Sequence, residues 1–253
     1  MAGRFVMSIL FDKSKKPSLP ALTNAANYAY SVARGVTLPA HAVFCPILPL
    51  TKYVTSHSKW KKIYCLADIY VLENQNLCYI TNYGMGAPVL ALVTELAVAL
   101  GVKKAVYLGL AGSLQEEVQA ADAVLCNESL CDDGTSPCYV STPTCKPASA
   151  LLKKWTQLLQ CNKQDFHIGR NWTTDAIFRE TKAEITHYKR QAVLTVEMET
   201  SAFYAVCKKR RVQAAAAFVI SDTLVKNSWQ RSFDKRIFRQ LEQLFESTKM
   251  LFK

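Results

Sequence analysis

The feature that most constrains this chain is the alternation of short apolar runs with helix-like segments from residue 63 onward. The runs rich in β-branched and small apolar residues that predict strands are 105–108, 123–126, 166–169, 192–196 and 214–220. The segments that predict helices are 24–34, 87–100, 148–160, 200–209 and 233–251. Strands that alternate with helices favour βαβ units around a buried sheet. We therefore expect an α/β fold with three layers and a mixed central β-sheet flanked by helices.

The length of 253 residues favours one domain, residues 1–253, because α/β folds of this size are often single units. Half of the residues are hydrophobic and 20% are charged, which permits a large core and argues against disorder. Residues 1–45 form an atypical N-terminal segment, and 42–50 resembles an apolar strand broken by prolines. Residues 68–73 and 77–82 predict a hairpin with its turn at 74–76.

Charge and cysteine content narrow the function classes. The net charge of +11 favours anionic partners, but it is dispersed, and no zinc-finger spacing or RNA-binding aromatic signature accompanies it, so nucleic acid is not expected as a partner. Nine cysteines without a Cys-x-x-Cys pair indicate a reduced protein without a metal site. The apolar run 5–11 is too short for a targeting segment, and 87–102 too short for a membrane span. We expect a cytoplasmic protein.

Two acidic clusters follow apolar runs. The first contains Glu197, Met198 and Glu199, and the second ends at Asp222. Acids in such places are costly to bury unless they have a use, although solvated acids at strand ends are the commoner case. A carboxylate pair on one segment and a lone carboxylate on another suit the binding of sugar hydroxyls and the protonation of a leaving group. A glycine turn at 109–112 also follows a predicted strand, so several strand ends would converge on one cleft.

Several segments together resemble the nucleoside phosphorylase superfamily, which includes purine and uridine phosphorylases and related nucleosidases. The resemblance covers roughly residues 80–222. The matching segments are Gly-Met-Gly-Ala-Pro at 84–88, Gly-Leu-Ala-Gly-Ser-Leu at 109–114, residues 172–181, Val-Glu-Met-Glu-Thr at 196–200 and Val-Ile-Ser-Asp at 219–222. The last two, in this order and separation, are specific to the family.

The resemblance implies catalytic roles for two acids. Glu199 matches the acid that clamps the ribose hydroxyls, and Asp222 matches the acid that faces the base, which purine-specific members use to protonate the leaving ring. Cleavage of an N-glycosidic bond builds positive charge on the sugar and negative charge on the base, so the two acids address both ends. No cofactor is implied.

The resemblance also implies substrate-binding residues. Met198 would lie against the sugar, and Glu197 would support the clamp. The loop 170–174 matches the wall of the base pocket, where Trp172 either stacks on the base or is a core aromatic. The remaining matched substrate positions are Thr173, Met85 and Gly86.

The departures from the family pattern fall where phosphate would bind. Phosphorolytic members usually have Arg two residues before the first glycine of the turn and Ser or Thr directly after it, and here these positions are Tyr107 and Leu110. Losing a guanidinium and a hydroxyl removes charge-assisted bonds to an anion. The backbone of the turn would still offer amides; its candidate phosphate-binding residues are Gly109, Ala111, Gly112 and Ser113.

Three functions follow. The family default is phosphorolysis of a purine or pyrimidine nucleoside to free base and (deoxy)ribose 1-phosphate, with inorganic phosphate as co-substrate. The family resemblance and the net charge slightly favour this function. The alternatives are a nucleosidase that uses water and a non-catalytic nucleoside- or nucleotide-binding protein. The resemblance also predicts a homo-oligomer, either a dimer or a trimer of dimers.

Overall fold

A computed structural model describes residues 13–72, 75–225 and 228–253. In this part of the chain the strands are β1 (His41–Phe44), β2 (Trp60–Tyr64), β3 (Asp68–Leu72), β4 (Leu77–Thr81), β5 (Lys104–Ser113), β6 (Ala123–Asp132), β7 (Thr144–Cys145), β8 (His167–Thr174), β9 (Val193–Glu197), β10 (Gln213–Thr223) and β11 (Gln230–Arg231). The α-helices are α1 (Ala25–Val32), α2 (Leu48–Ser56), α3 (Ala87–Ala99), α4 (Ser149–Cys161), α5 (Lys182–Arg190), α6 (Thr200–Arg210) and α7 (Arg236–Leu251).

The strands form one mixed sheet in the order β11-β10-β6-β8-β9-β5-β1-β4-β3-β2, with β7 beside β6. Strand β5 pairs in parallel with β1 and β10 and antiparallel with β9. Because β10 also pairs with β6, the strands β5, β10, β6, β8 and β9 close into a ring, and β1 to β4 extend from it as an open sheet. Strand β5 therefore joins the closed and the open parts.

Helices cover both faces of the sheet. One face packs against α1, α3 and α6, in a core that includes Tyr107, Phe203 and Phe218. The other packs against α2, α4 and α7, around Trp155 and Phe245. Alternate residues of β5 enter the two cores, as expected for a strand buried on both sides. The predicted three-layer α/β fold is confirmed.

The structure confirms the hairpin of β3 and β4 and the helix α3, and it corrects other boundaries. The predicted strand at 42–50 ends at Phe44, because Pro49 occupies the first turn of α2, where its missing N–H costs nothing. Strand β2 was not predicted. The apolar run 5–11 and residues 73 and 74 of the predicted hairpin lie outside the described residues. No described helix has the length and apolarity needed to cross a membrane.

The predicted glycine turn at 109–112 is wrong, because β5 continues through it to Ser113 and pairs with β10, whose register shifts at a bulge between Ile220 and Asp222. The two glycines serve close packing instead. A Cβ atom on Gly109 would lie 2.8 Å from the Tyr107 hydroxyl, and one on Gly112 would lie 2.6 Å from Leu224 Cδ1 and 2.9 Å from Asp222 Oδ2. All three distances are too short for a methyl group, so glycine at these two positions leaves room for side chains that pack over the strand.

Candidate active site

The Glu199 carboxylate is buried at the start of α6 and accepts hydrogen bonds from three donors. The Gly86 amide donates to Oε1 over 2.5 Å, and the Tyr107 hydroxyl and the Met198 amide donate to Oε2 over 3.1 and 3.2 Å. Gly86 precedes α3, and its φ of +103° favours glycine. The sequence segments at 84–88, 107 and 196–200 therefore meet at one carboxylate.

Glu197 is buried two residues earlier and accepts five hydrogen bonds. The donors to Oε1 are Asn171 Nδ2 and Thr173 Oγ1, and the donors to Oε2 are the amides of Glu199 and Thr200 and the Thr200 hydroxyl. Three of these bonds satisfy groups at the N-terminus of α6, where a negative charge is favourable. Glu197 thus fixes the turn that carries Glu199, and its support of a sugar clamp stays a prediction.

The two carboxylates influence each other. Burial, followed by the charge of Glu199, raises the pKa of Glu197, and its hydrogen-bond donors oppose that rise. Burial also raises the pKa of Glu199, against the opposing effect of Gly86 and Tyr107. Among the described residues, no Lys or Arg side chain hydrogen-bonds to either carboxylate. The charge of these two acids is therefore not balanced by a hydrogen-bonded cation.

The other predicted substrate residues fall into two groups. Met198 is half-buried and directly precedes Glu199, and Met85 is exposed and directly precedes Gly86, so contact of either side chain with a substrate stays a prediction. Thr173 is fully buried, and its hydroxyl donates to Glu197 and accepts from the Ser201 amide. Its hydroxyl is thus committed to the network that supports Glu197, and the structure gives it no contact surface for a substrate.

Trp172 is a core aromatic. Residues 170–174 belong to strand β8 rather than to the predicted loop, and Trp172 is 1% exposed. Its ring lies 4.5 Å from that of Tyr188, and its indole N–H donates to Asp132 over 2.9 Å. Because neither face of the ring is free, the interpretation of Trp172 as a stacking surface for a base is wrong in this structure.

The structure also does not form the predicted phosphate cradle at residues 109–113. A cradle needs successive amides that point to one place, whereas Gly109, Ala111, Gly112 and Ser113 lie in an extended strand whose amides alternate in direction. The Ser113 hydroxyl is buried and donates to the Gln115 carbonyl. Tyr107, at the position of the expected arginine, is buried with its hydroxyl on Glu199.

Asp222 is half-buried at the far end of β10, beside Gly112. Its carboxylate accepts from the Ser221 hydroxyl over 2.7 Å and from the indole N–H of Trp229 over 2.9 Å. Glu180 is near it: burial, followed by the charge of Asp222, raises the pKa of Glu180 to about 7. A second carboxyl group therefore accompanies the acid predicted to face the base.

Glu199 and Asp222 have no direct contact. The hydroxyl that binds Glu199 lies over Gly109, whereas Asp222 lies beside Gly112, three residues further along β5. At about 3.3 Å a residue, the separation along the strand is roughly 10 Å. Positions 109 and 112 are an odd number of residues apart and therefore face opposite sides of this extended strand, so the contact of both acids with one nucleoside stays a prediction.

Three participants were not predicted from the sequence: Tyr107 as a partner of Glu199, the buried Asn171 beneath Glu197, and Glu180 beside Asp222. A signal for Asn171 existed, because polar residues at alternate positions of β8 and β9 share one face of the sheet. Glu180 lies within a family-like segment but carried no assigned role.

A family model described as the phosphorylase superfamily matches residues 51–247. Among curated relatives, protein R802 of Acanthamoeba polyphaga mimivirus, which is described as uncharacterized, is 32% identical over 139 residues, and this match spans 55% of the chain and about half (54%) of that relative. A DeoD-type purine nucleoside phosphorylase of Clostridium novyi is 24% identical over 195 residues, which cover 74% of the chain and 84% of the relative.

Solved structures share the fold. A uridine phosphorylase from Vibrio fischeri superposes with a TM-score of 0.75 at 17% identity, over 86% of this chain and 94% of that one. An AMP nucleosidase from Bacteroides thetaiotaomicron has a TM-score of 0.71 at 16% identity, over 90% and 95% of the two chains. Proteins named as phosphorylases and as nucleosidases thus have this architecture.

The hydrogen bonds of the two glutamates predict different costs of substitution. Glu197→Gln places an amide N–H₂ against donors that need an acceptor, and we expect it to lower the free energy of unfolding by about 2–4 kcal/mol. Glu199→Gln should cost about 1 kcal/mol, because its N–H₂ group opposes only one fixed backbone donor, the Met198 amide, while the Tyr107 hydroxyl can turn to accept. Differential scanning calorimetry of both variants checks this, and an equal or larger loss for Glu199→Gln would contradict the assigned supporting role of Glu197.

Proposed function

The chain belongs to the phosphorylase superfamily, and from this membership we propose that it cleaves the N-glycosidic bond of a nucleoside with water, rather than phosphate, as the acceptor of the sugar. The observation that carries the proposal is the Tyr107 hydroxyl bound to Glu199 at the position where phosphorolytic members usually have a phosphate-binding arginine. The neutral Tyr107 side chain stands where a cation is usual. Its hydroxyl donates a hydrogen bond to Glu199, the acid expected to bind the sugar.

Electrostatics support water as the acceptor. Burial, followed by the charge of Glu199, raises the pKa of Tyr107 well above its usual value, so this phenol stays neutral. A phosphate dianion beside two buried carboxylates needs a nearby cation, because like charges repel strongly where solvent is excluded. Neither glutamate has a basic side chain as a hydrogen-bond partner within the described segments. Water brings no charge into this site.

The Tyr83 hydroxyl supports the presence of a small polar ligand. It is buried and has no hydrogen-bond partner among the described residues. Burial and then the charges of Cys45 and Glu199 raise the pKa of Tyr83, so this hydroxyl lies within electrostatic range of the acid site. Buried hydroxyls without a protein partner are commonly satisfied by water. We propose that the water that attacks the sugar is held by a hydrogen bond with the Tyr83 hydroxyl.

The proposed reaction uses both ends of the site. The C1′–N bond breaks as positive charge develops on the sugar, where the Glu199 carboxylate stabilises it. The water oxygen bonds to C1′, its lost proton leaves to solvent, and the base takes a proton from the pair formed by Glu180 and Asp222. Glu180, whose pKa is raised to about 7, is the member of this pair that we propose carries the proton.

Phosphorolysis is the second candidate, favoured by the family default and by the curated relative from Clostridium novyi, which is named as a purine nucleoside phosphorylase. It needs a cation at the site, which Lys52 or an arginine from another subunit of a homo-oligomer would have to supply. The homo-oligomeric state and the cytoplasmic location stay predictions from the sequence.

Product analysis separates the candidates. Purine and pyrimidine nucleosides are incubated with the protein, with and without phosphate, and the sugar products are separated by chromatography. We expect free sugar at a rate independent of phosphate. Sugar 1-phosphate and a rate that saturates with phosphate would establish phosphorolysis. Binding without cleavage of any nucleoside would leave only the non-catalytic alternative.

The carboxyl pair predicts a pH dependence. A general acid acts in its protonated form, and the pKa of Glu180 is raised to about 7, so kcat/KM should fall as the pH rises above about 7. Glu180→Gln should lower kcat/KM about tenfold or more at pH 6 and flatten this limb. The matched control is Glu117→Gln, which changes an exposed glutamate outside the site. An unchanged limb in Glu180→Gln would remove Glu180 from proton transfer.

A further inference from the structure

The hydrogen bonds on Glu199 limit what the sugar site can accept. An ionised carboxylate has about four lone-pair positions, two on each oxygen. Oε2 is filled by the Tyr107 hydroxyl and the Met198 amide, and Oε1 already accepts from the Gly86 amide. One position on Oε1 remains, so Glu199 has room for one further donor.

Tyr107 cannot readily release its position on Oε2. Its side chain is 2% exposed, and its ring lies 6.1 Å from that of Phe203 and 6.4 Å from that of Phe218. The hydroxyl crosses β5 directly over Gly109, where no Cβ atom intervenes. Moving the phenol would require the core between β5 and α6 to repack, which close-packed interiors resist.

We infer that this sugar site selects nucleosides with a single hydroxyl on the edge that faces Glu199, so that its substrates are 2′-deoxyribonucleosides. The inference rests on the proposed function for the position of the sugar. A ribose presents two neighbouring hydroxyls, and only one of them finds an acceptor on Glu199. The second has no acceptor left on Glu199, which disfavours ribonucleosides, whereas a deoxyribose loses nothing.

Binding of C-nucleosides tests the inference, because their carbon–carbon glycosidic bond is not cleaved and differences in bond lability do not enter. The probes are formycin A and pseudouridine, each compared with its 2′-deoxy form by isothermal titration calorimetry. We expect at least one of the deoxy forms to bind about tenfold more tightly than its ribo counterpart. A ribo form that binds as tightly or more tightly in both pairs would overturn the inference.

Tyr107→Phe gives the second measurement. Removing the hydroxyl frees a lone-pair position on Glu199 Oε2, so the ribo forms should bind more tightly. The ratio of the dissociation constants of the ribo and deoxy forms should then approach one. Weaker binding of the ribo forms in this variant would mean that the phenol itself accepts a sugar hydroxyl, which also overturns the inference. The matched control is Tyr204→Phe, which removes another buried hydroxyl, bonded to the Cys126 carbonyl, and should leave the preference unchanged. If Tyr107→Phe does not fold, the ratios of the dissociation constants measured for the wild-type protein still test the inference.

Failure of the proposed function gives a different pattern. If the deoxy C-nucleosides bind preferentially but no N-nucleoside is cleaved, the sugar selection holds and the proposed reaction is wrong. If N-nucleosides are cleaved to free sugar while the ribo C-nucleosides bind as tightly as their deoxy forms, the reaction holds and the selection is wrong. If none of the C-nucleosides binds and no N-nucleoside is cleaved, both fail.

Discussion

The site depends on the buried carboxylate of Glu197. Five hydrogen-bond donors surround it, and they come from β8, from the turn after β9 and from the start of α6. A buried charge without a cation is tolerated only where hydrogen bonds replace its hydration. The network therefore fixes the end of β9 and the first turn of α6 in one geometry. This turn carries Glu199 two residues later, and its amide donates to Glu197.

The second carboxylate changes what the site can bind. Glu199 meets Gly86 from the start of α3 and Tyr107 from β5, so three parts of the fold converge on it. A guanidinium at position 107 would pair with an anion, whereas a phenol there donates to the acid and brings no charge. Under the proposed function, this exchange makes the place suited to a neutral acceptor rather than to phosphate. The same hydrogen bond leaves fewer acceptors for a sugar on Glu199, so the proposed acceptor and the proposed sugar preference both follow from one side chain.

Much of the fold could be predicted from the sequence, because helices such as α3 and the β3–β4 hairpin depend on local periodicity and turn residues. The acids at 197, 199 and 222 were found because they follow apolar runs in a family-like order. Strand β5 was not predicted to full length, since its two glycines locally favour a turn and only the pairing with β10, about a hundred residues away, makes them extended. The direction of the Trp172 ring and the partner of Tyr107 depend likewise on tertiary packing.

The central claim is that the Tyr107–Glu199 hydrogen bond takes the place of a phosphate site. A crystal structure of the protein with a bound 2′-deoxy C-nucleoside, grown in phosphate buffer, tests this most directly. The account predicts that the hydrogen bond persists, that one sugar hydroxyl contacts Glu199 Oε1 and that a water bound to Tyr83 lies next to C1′. A phosphate bound next to C1′ and paired with a basic side chain, with Tyr107 displaced from Glu199, would contradict it.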